Sequence, residues 1–272
     1  NHPLMRRLSI EAPGTYHHSL MVASLSEAAA EAIGARPTLC RVCSYFHDIG
    51  KLSKPEYFIE NMTPGENPHD DLTARMSALV LIAHVKDGVD LGIKHKLNCQ
   101  ILDVIEQHHG TTLAYYFYKR ALDQRAELLK QAGETKANED DIPQVSEDVF
   151  RYPGPRPQFK EAAIISLADA IESASRSLDK PNASRIESLI NSIVQHRVSD
   201  GQLDECDLTI AELARIKASF AKSLLSMMHG RLKYGPPGTD AATDNVPPTR
   251  PGNIPPDAVI EASFPIHGEG SR

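Results

Sequence analysis

Five histidines and two aspartates between positions 18 and 169 have the types and the grouping needed to ligate a pair of metal ions: His18, the doublet His47 and Asp48, His84, the doublet His108 and His109, and Asp169. Imidazole nitrogens and carboxylates suit divalent iron, manganese or zinc, and two ions that share a bridging carboxylate can activate a water against a phosphate ester. Taken singly, an inward histidine is more often hydrogen-bonded within a core than bound to metal. Burying so many polar groups without metal would, however, cost several kcal/mol in aggregate unless each found a partner. Shared coordination is the economical reading, and it implies metal-dependent hydrolysis of a phosphate ester.

The bulk of the chain is compatible with that chemistry. At 272 residues it suits one large helical domain with a tail better than two full domains. A formal charge of -7 argues against broad, charge-driven binding to a nucleic acid polymer or an anionic membrane, while leaving room for a local basic pocket around a small phosphate ligand. The cysteines are Cys40, Cys43, Cys99 and Cys206, of which only the first two are close together. These read as reduced core thiols, which fits a cytosolic compartment. No signal peptide is visible in these residues, and no apolar run approaches the roughly 20 residues needed to span a bilayer. The first residue is Asn1 rather than an initiator methionine, and the chain enters its first motif almost at once, as expected of a piece of something longer.

The elements that must position the seven candidates read as helices. Val22, Leu25 and Ala29 recur at helical spacing between Tyr16 and Gly34, and His18 shares their face. Pro37 opens the next helix, on which Leu39, Cys43 and His47 form a stripe, and Gly50 closes it beside Lys51. The segment Ser53 to Pro68 reads as a long loop, a lid or pocket wall beside the doublet. A third helix is expected from about His69 to Val85, ending near His84, and a fourth from Asn98 to His109. Tyr115, Tyr116, Phe117 and Tyr118 begin another helix, with core packing favoured over stacking on a base, and it runs into a polar stretch, Gln131 to Asp148, expected to be a mobile insertion. After the turn-rich Arg151 to Pro157, Ala162, Ile165 and Asp169 line one helix face. Further amphipathic helices are expected at Ser184 to Val198 and Thr209 to Met228. Residues 1–234 would thus form the domain. The tail 235–272 holds eight of the nineteen prolines, and its composition predicts disorder. Strand-like alternation is nearly absent, so the fold class is all-α.

The strings around the candidates carry a resemblance. "HHSLMVA" at His17 to Ala23, "HDIGK" at His47 to Lys51, "HVKDG" at His84 to Gly88, "EQHHGT" at Glu106 to Thr111 and "LADAIE" at Leu167 to Glu172 follow the ligand order of the HD superfamily of metal phosphohydrolases. "APGTYHHSLMVA", "FIEN", "NPHDDL", "RYPGPRPQ" and "DGQLDECDLT" make the chain resemble the seven-transmembrane HD family, of the PgpH type, over roughly Asn1 to Tyr234.

That resemblance implies an HD-domain helical fold, the cytoplasmic C-terminal part of a protein in the cell membrane, and hydrolysis of cyclic di-AMP to the linear dinucleotide pApA. It implies two divalent ions, iron or manganese first and zinc as an option. His18, His47, Asp48 and Asp169 would surround one ion and His84, His108 and His109 the other, with Asp48 bridging. His17 is then left as a surface or supporting residue. Asp48 and Lys51 are the expected catalytic residues, and Lys51, Lys86 and Arg156 are the candidates for holding substrate phosphate oxygens. Rival readings are an HD-GYP-type cyclic di-GMP phosphodiesterase, disfavoured because His109 is followed by Gly110-Thr111-Thr112 rather than a Gly-Tyr-Pro element, a nucleotide triphosphohydrolase acting on a dNTP or ppGpp, and a non-catalytic nucleotide sensor. Removing residues 235–272 is expected to leave turnover almost intact, and a large loss in a truncated enzyme would show that the tail is not an inert linker.

Overall fold

The computed structural model describes residues 2–63, 65–135, 142–178 and 182–229. Within these, nine helices account for the architecture: α1 Pro3–Glu11, α2 Pro13–Ile33, α3 Pro37–Phe46, α4 Ala74–Lys94, α5 Cys99–Gln107, α6 Tyr115–Thr135, α7 Lys160–Ser175, α8 Ala183–Ser199 and α9 Ile210–His229. No β-strand occurs among the described residues, only an isolated bridge between Leu113 and Arg151. The fold is all-α, as expected.

Local chemistry sets most of the boundaries. Pro3, Pro13 and Pro37 occupy the first turns of α1, α2 and α3, where a missing N–H removes no helical bond. The side chains of Thr73, Asn98 and Asn182 accept from the amides of Met76, Gln100 and Arg185 and so start α4, α5 and α8. The core forms around α2 and α7, which pack on each other, with α3 and α9 against α2 and α8 against α7. Ala162, Ala163, Ile164, Ile165, Leu167, Ala168 and Ile171 are all fully buried, so α7 is apolar nearly all round, the mark of a central helix. A smaller cluster gathers Ala74, Ala78, Phe117 and Phe150, with Tyr116 and Tyr118 against it. The aromatic patch is therefore packing material. Cys40 and Cys43 are free and fully buried, and burial pushes the Cys43 thiol up to about 12.

Several expectations are revised. Helix α1 was not anticipated. It is one short run anchored by buried Leu4 and Leu8. The third helix begins at Ala74, after a 3-10 turn at Pro68–Asp71, and runs on to Lys94, so His84 lies inside it rather than at its end. The internal Gly88 and Gly92 do not break it, because their missing side chains admit Ile105 and Leu102 of α5. Helix α3 stops at Phe46, and a 3-10 turn at Ile49–Ser53 takes over, leaving His47 and Asp48 at the junction. The Ser53 to Pro68 loop contains further 3-10 turns at Pro55–Tyr57 and Ile59–Asn61. Asn61 pins it to α2, with Oδ1 accepting from Thr15 N at 3.1 Å and Nδ2 donating to Thr15 Oγ1 at 2.9 Å. Both ends of the polar stretch 131–148 belong to the fold: α6 extends to Thr135, and Val145 and Val149 pack against the smaller cluster. Its centre, 136–141, and the Pro-rich tail 235–272 lie outside the described residues. Among the described residues no helix is long and apolar enough to cross a membrane.

One buried carboxylate fixes where α3 begins against α7. Glu161 Oε1 accepts from Arg36 N at 3.0 Å and Nε at 2.9 Å, and its Oε2 accepts from Arg36 NH2 at 3.2 Å. Burial alone would raise the Glu161 pKa, but the bonds from Arg36 outweigh it and the pKa is lowered. Because the folded value is depressed, the stabilisation is fully present above the unfolded value of about 4.3 and is lost as pH falls through the folded pKa. Glu161→Gln should therefore destabilise the protein by about 1 kcal/mol at pH 7. Urea midpoints of variant and wild type should converge in acid, and a gap that stayed constant down to pH 3 would contradict this.

Candidate metal centre

All seven candidates converge, and α2, the α3 junction, α4, the end of α5 and α7 each supply at least one. His18, His47, Asp48, His84, His108 and Asp169 are buried, and His109 is partly exposed. His17 lies exposed on the other side of α2. Close approach of backbones makes the meeting possible. A Cβ on Gly50 would overlap the His84 carbonyl oxygen and the Gly88 amide, so only glycine lets the turn after Asp48 lie directly on α4.

Asp48 sits between two sets of imidazoles. Its Oδ2 is 3.5 Å from His18 Nε2 and 3.3 Å from His47 Nε2, and its Oδ1 is 3.4 Å from His84 Nε2 and 3.6 Å from His108 Nε2. Asp169 Oδ1 lies 3.0 Å from His18 Nε2 and 3.9 Å from His47 Nε2, and its Oδ2 lies 3.8 Å from His109 Nδ1. The ligand atoms of Asp48, His84, His108 and His109 lie within 4.8 Å of one another, as do those of His18, His47 and Asp169.

The histidines are aimed from behind. His47, His84 and His108 each place Nδ1 against the carbonyl oxygen three residues earlier, Ser44 at 2.7 Å, Leu81 at 2.5 Å and Ile105 at 2.8 Å. A carbonyl only accepts, so Nδ1 carries the proton and Nε2 turns to the centre. His18 instead sets Nδ1 2.5 Å from Glu172 Oε2, and Arg176 NH2 donates to that same oxygen at 2.8 Å. His109 is steadied by Tyr152, whose ring stacks on it at 4.2 Å with 22° between planes. Tyr152 is held there by its amide bond to Thr112 O at 2.9 Å, and Gln202 clasps the same turn, accepting from Thr111 N at 2.9 Å.

These atoms fit metal ions and fit little else. His18 Nε2, His47 Nε2 and Asp48 Oδ1 are buried and make no hydrogen bond, and Asp48 Oδ2 has the Lys51 ammonium at 2.8 Å. Three orphaned polar atoms crowded around one carboxylate would be unfavourable unless a cation lies among them. Their protonation tells the same story. Burial alone would lower His47 and His18, but Asp48 and Asp169 hold His47 up at about 10, and Glu172 and Asp169 hold His18 up at about 9. Two protons thus occupy the place that a metal ion, which takes neutral imidazole, would claim. On the other side, burial together with His108 and Lys51 pushes His84 down to about 3.

The three cationic candidates fare differently. Lys51 reaches the centre, with Nζ 2.8 Å from Asp48 Oδ2 and 2.8 Å from Glu60 Oε1, over the Phe58 ring. Arg156 is half-buried, with Nε 3.4 Å from Thr111 Oγ1 and NH1 3.9 Å from Glu205 Oε1. Lys86 is exposed on α4 and, two residues past His84, about 200° round the helix from it, so it is not brought to the centre. Glu172, Glu60, Gln202 and Tyr152 were not singled out from sequence. For Glu172 a signal existed, since it lies three residues beyond Asp169 on the same helix, one turn away and on a neighbouring line of side chains.

A helical scaffold that gathers an ordered His, His-Asp, His, His-His and Asp set defines the HD class of metal sites, and the comparisons agree. The HD domain profile matches residues 15–174, and the chain belongs to the HD domain family. It is 46% identical over 234 residues to "Cyclic-di-AMP phosphodiesterase PgpH" of Bacillus subtilis and 42% identical over 234 residues to the protein of that name from Listeria monocytogenes. In each case the match covers 86% of this chain and 30% of the relative. The chain thus spans about a third of the length of these curated relatives. The crystal structure of the L. monocytogenes PgpH HD domain superposes with a TM-score of 0.75 at 41% identity, covering 84% of this chain and 100% of that one. The same domain in complex with cyclic di-AMP gives 0.73 at 43% identity, covering 84% and 98%.

Asp48→Ala should strip the protein of both ions, because its carboxylate faces both sets. Glu172→Gln, which weakens the aim of His18 alone, should lower metal affinity roughly 10- to 100-fold. Metal counted by mass spectrometry after dialysis checks both, and two ions retained by Asp48→Ala would overturn the assignment.

Proposed function

We propose that residues 1–234 are a phosphodiesterase domain that hydrolyses cyclic di-AMP to pApA, as the cytoplasmic output domain of a membrane protein, with residues 235–272 as a tail. The observation that carries the proposal is the division of the Asp48 carboxylate between two histidine sets, supported by 46% identity to a relative named for this activity. The ligands are His18, His47, Asp48 and Asp169 for one ion and His84, His108 and His109, with Asp48 shared, for the other. Iron or manganese suits these nitrogen and oxygen donors first, and zinc is an alternative. Two divalent cations, when bound, supply a water of lowered pKa and offset charge on the phosphate oxygens.

The chain's own side chains do the rest. Asp48 fixes the separation of the two sites, and Lys51 fixes Asp48. Two of the three Lys51 ammonium donors are committed to Asp48 and Glu60, leaving one for a non-bridging phosphate oxygen. Arg156, beside Thr111 in the turn that follows His109, is a second candidate for the same ligand. Phe58, edge-on to His84 at 5.6 Å, closes one wall against water. The leaving 3'-oxygen departs on the side opposite the attacking water, which leaves the phosphate on the 5' end of the opened dinucleotide.

The test is side-by-side hydrolysis of cyclic di-AMP and cyclic di-GMP by manganese-loaded protein, with products separated by chromatography. Faster conversion of cyclic di-AMP to pApA is expected. No turnover of either by protein holding two ions would reject the phosphodiesterase reading in favour of a triphosphohydrolase or a sensor.

A further inference from the structure

A lysine ammonium on its four-carbon stem has no fixed direction of its own. At Lys51 three groups supply one. Asp48 Oδ2 and Glu60 Oε1 each lie 2.8 Å from Nζ, which stands 5.0 Å from the centre of the Phe58 ring. Asp48 belongs to the proposed ligand set, whereas Glu60 belongs to neither group of ligand atoms. The Glu60 side chain is nonetheless only 8% exposed.

Glu60 is seated on α2. A Cβ on Gly14 would stand 1.8 Å from the Glu60 carbonyl oxygen, so the absence of a side chain at Gly14 lets the 59–61 turn lie directly on the start of that helix. Asn61 Nδ2 donates to Thr15 Oγ1, which leaves the single Thr15 hydroxyl proton for another acceptor. Thr15 Oγ1 gives it to Glu60 Oε1 at 2.8 Å. The same oxygen thus accepts from Thr15 and from Lys51, and Thr15 lies one turn before His18 on α2. An ordinary surface ion pair needs no such seat. Positive charge placed on Asp48 would loosen a lysine tied to that carboxylate alone, and Glu60 is the acceptor that remains.

We propose that Glu60 is a positioning residue, which holds the Lys51 ammonium in the direction from which its remaining N–H reaches a non-bridging phosphate oxygen. The proposal rests on the phosphodiesterase reading above and gives the 59–61 turn a part in the reaction, through Lys51. Glu60 itself touches neither the proposed ligands nor the phosphate.

The experiment is a pair of double-mutant cycles, with E60A and E60Q each placed in wild-type and K51M backgrounds. All proteins are manganese-loaded and compared by hydrolysis of cyclic di-AMP and of bis(p-nitrophenyl) phosphate, by calorimetric binding of inorganic phosphate and by metal content. E60A should keep two ions and lose at least about tenfold in kcat/KM and in phosphate affinity, while E60Q, which keeps an acceptor oxygen without the charge, should lose less. In the K51M background either substitution should cost less than about twofold, because Glu60 acts only through Lys51. Equal losses in both backgrounds, which a merely structural role predicts, would overturn the proposal, as would an unchanged E60A or loss of metal from E60A and E60Q alike. If E60A does not fold, the E60Q cycle decides. Wild type that cleaves the aryl ester but not cyclic di-AMP would reject the substrate and leave the role of Glu60 to be read on the ester. If turnover is undetectable in wild type or in K51M, the phosphate-binding cycle decides.

Discussion

The rest of the structure depends on one carboxylate being shared. Asp48 is 1% exposed and has imidazoles within 3.6 Å on both oxygens. Burial alone would raise its pKa, but Lys51 and His47 outweigh that and keep it well below the usual carboxylate range. An ionised carboxylate in such a place is tolerable only inside a ring of positive charge and donors. The fold supplies that ring by bringing four separate helical segments to it. Gly50 is the point at which steric fit and chemistry meet, because any larger residue would hold the Asp48 turn away from α4 and open the gap between Asp48 and His84.

Support behind the ligands is as organised as the ligands themselves. Three histidines are oriented by carbonyls of their own helical turns, a device that needs no distant partner. His18 and His109 lack that option and rely on other elements, Glu172 with Arg176 for one and the stacked Tyr152 for the other. Arg151 makes the second arrangement possible, with NH1 donating to Thr111 O at 2.8 Å and with its ion pair to Asp200, which tie the segment after α6 to the turn after α5.

The ligands were legible in the sequence because metal chemistry restricts residue type. No single histidine stood out, but a His-Asp doublet, a His-His doublet, two lone histidines and an inward aspartate at helix faces and ends did so together. Helix existence was legible for long amphipathic runs such as α8 and α9, where the period repeats several times. What escaped was set by contacts distant in sequence. The extent of α4 depended on whether Gly88 and Gly92 break a helix or admit a neighbour, and only the presence of α5 decides that. Glu60 and Gln202 are polar residues of ordinary kind, and only their placement beside Lys51 and Thr111 gives them meaning. Lys86, chosen for its nearness to His84 in sequence, shows the converse, since two residues along a helix separate side chains rather than joining them.

The two halves of the centre are chemically unequal, and α7 is the reason. Asp169 and Glu172, one turn apart on that helix, both lie toward His18, so the carboxylates collect on the side of His18 and His47 while the other side is mainly imidazole. The inequality appears in the proton affinities, with His18 and His47 raised and His84 and His109 lowered. A phosphate approaching the carboxylate-rich half would meet more negative charge than one approaching the other. A cation is therefore needed on that side beyond any metal, and Lys51, 2.8 Å from Asp48 Oδ2, is the one the fold places there. A chain of net charge -7 can hold a phosphate diester in this way, by local arrangement of charge rather than by overall attraction.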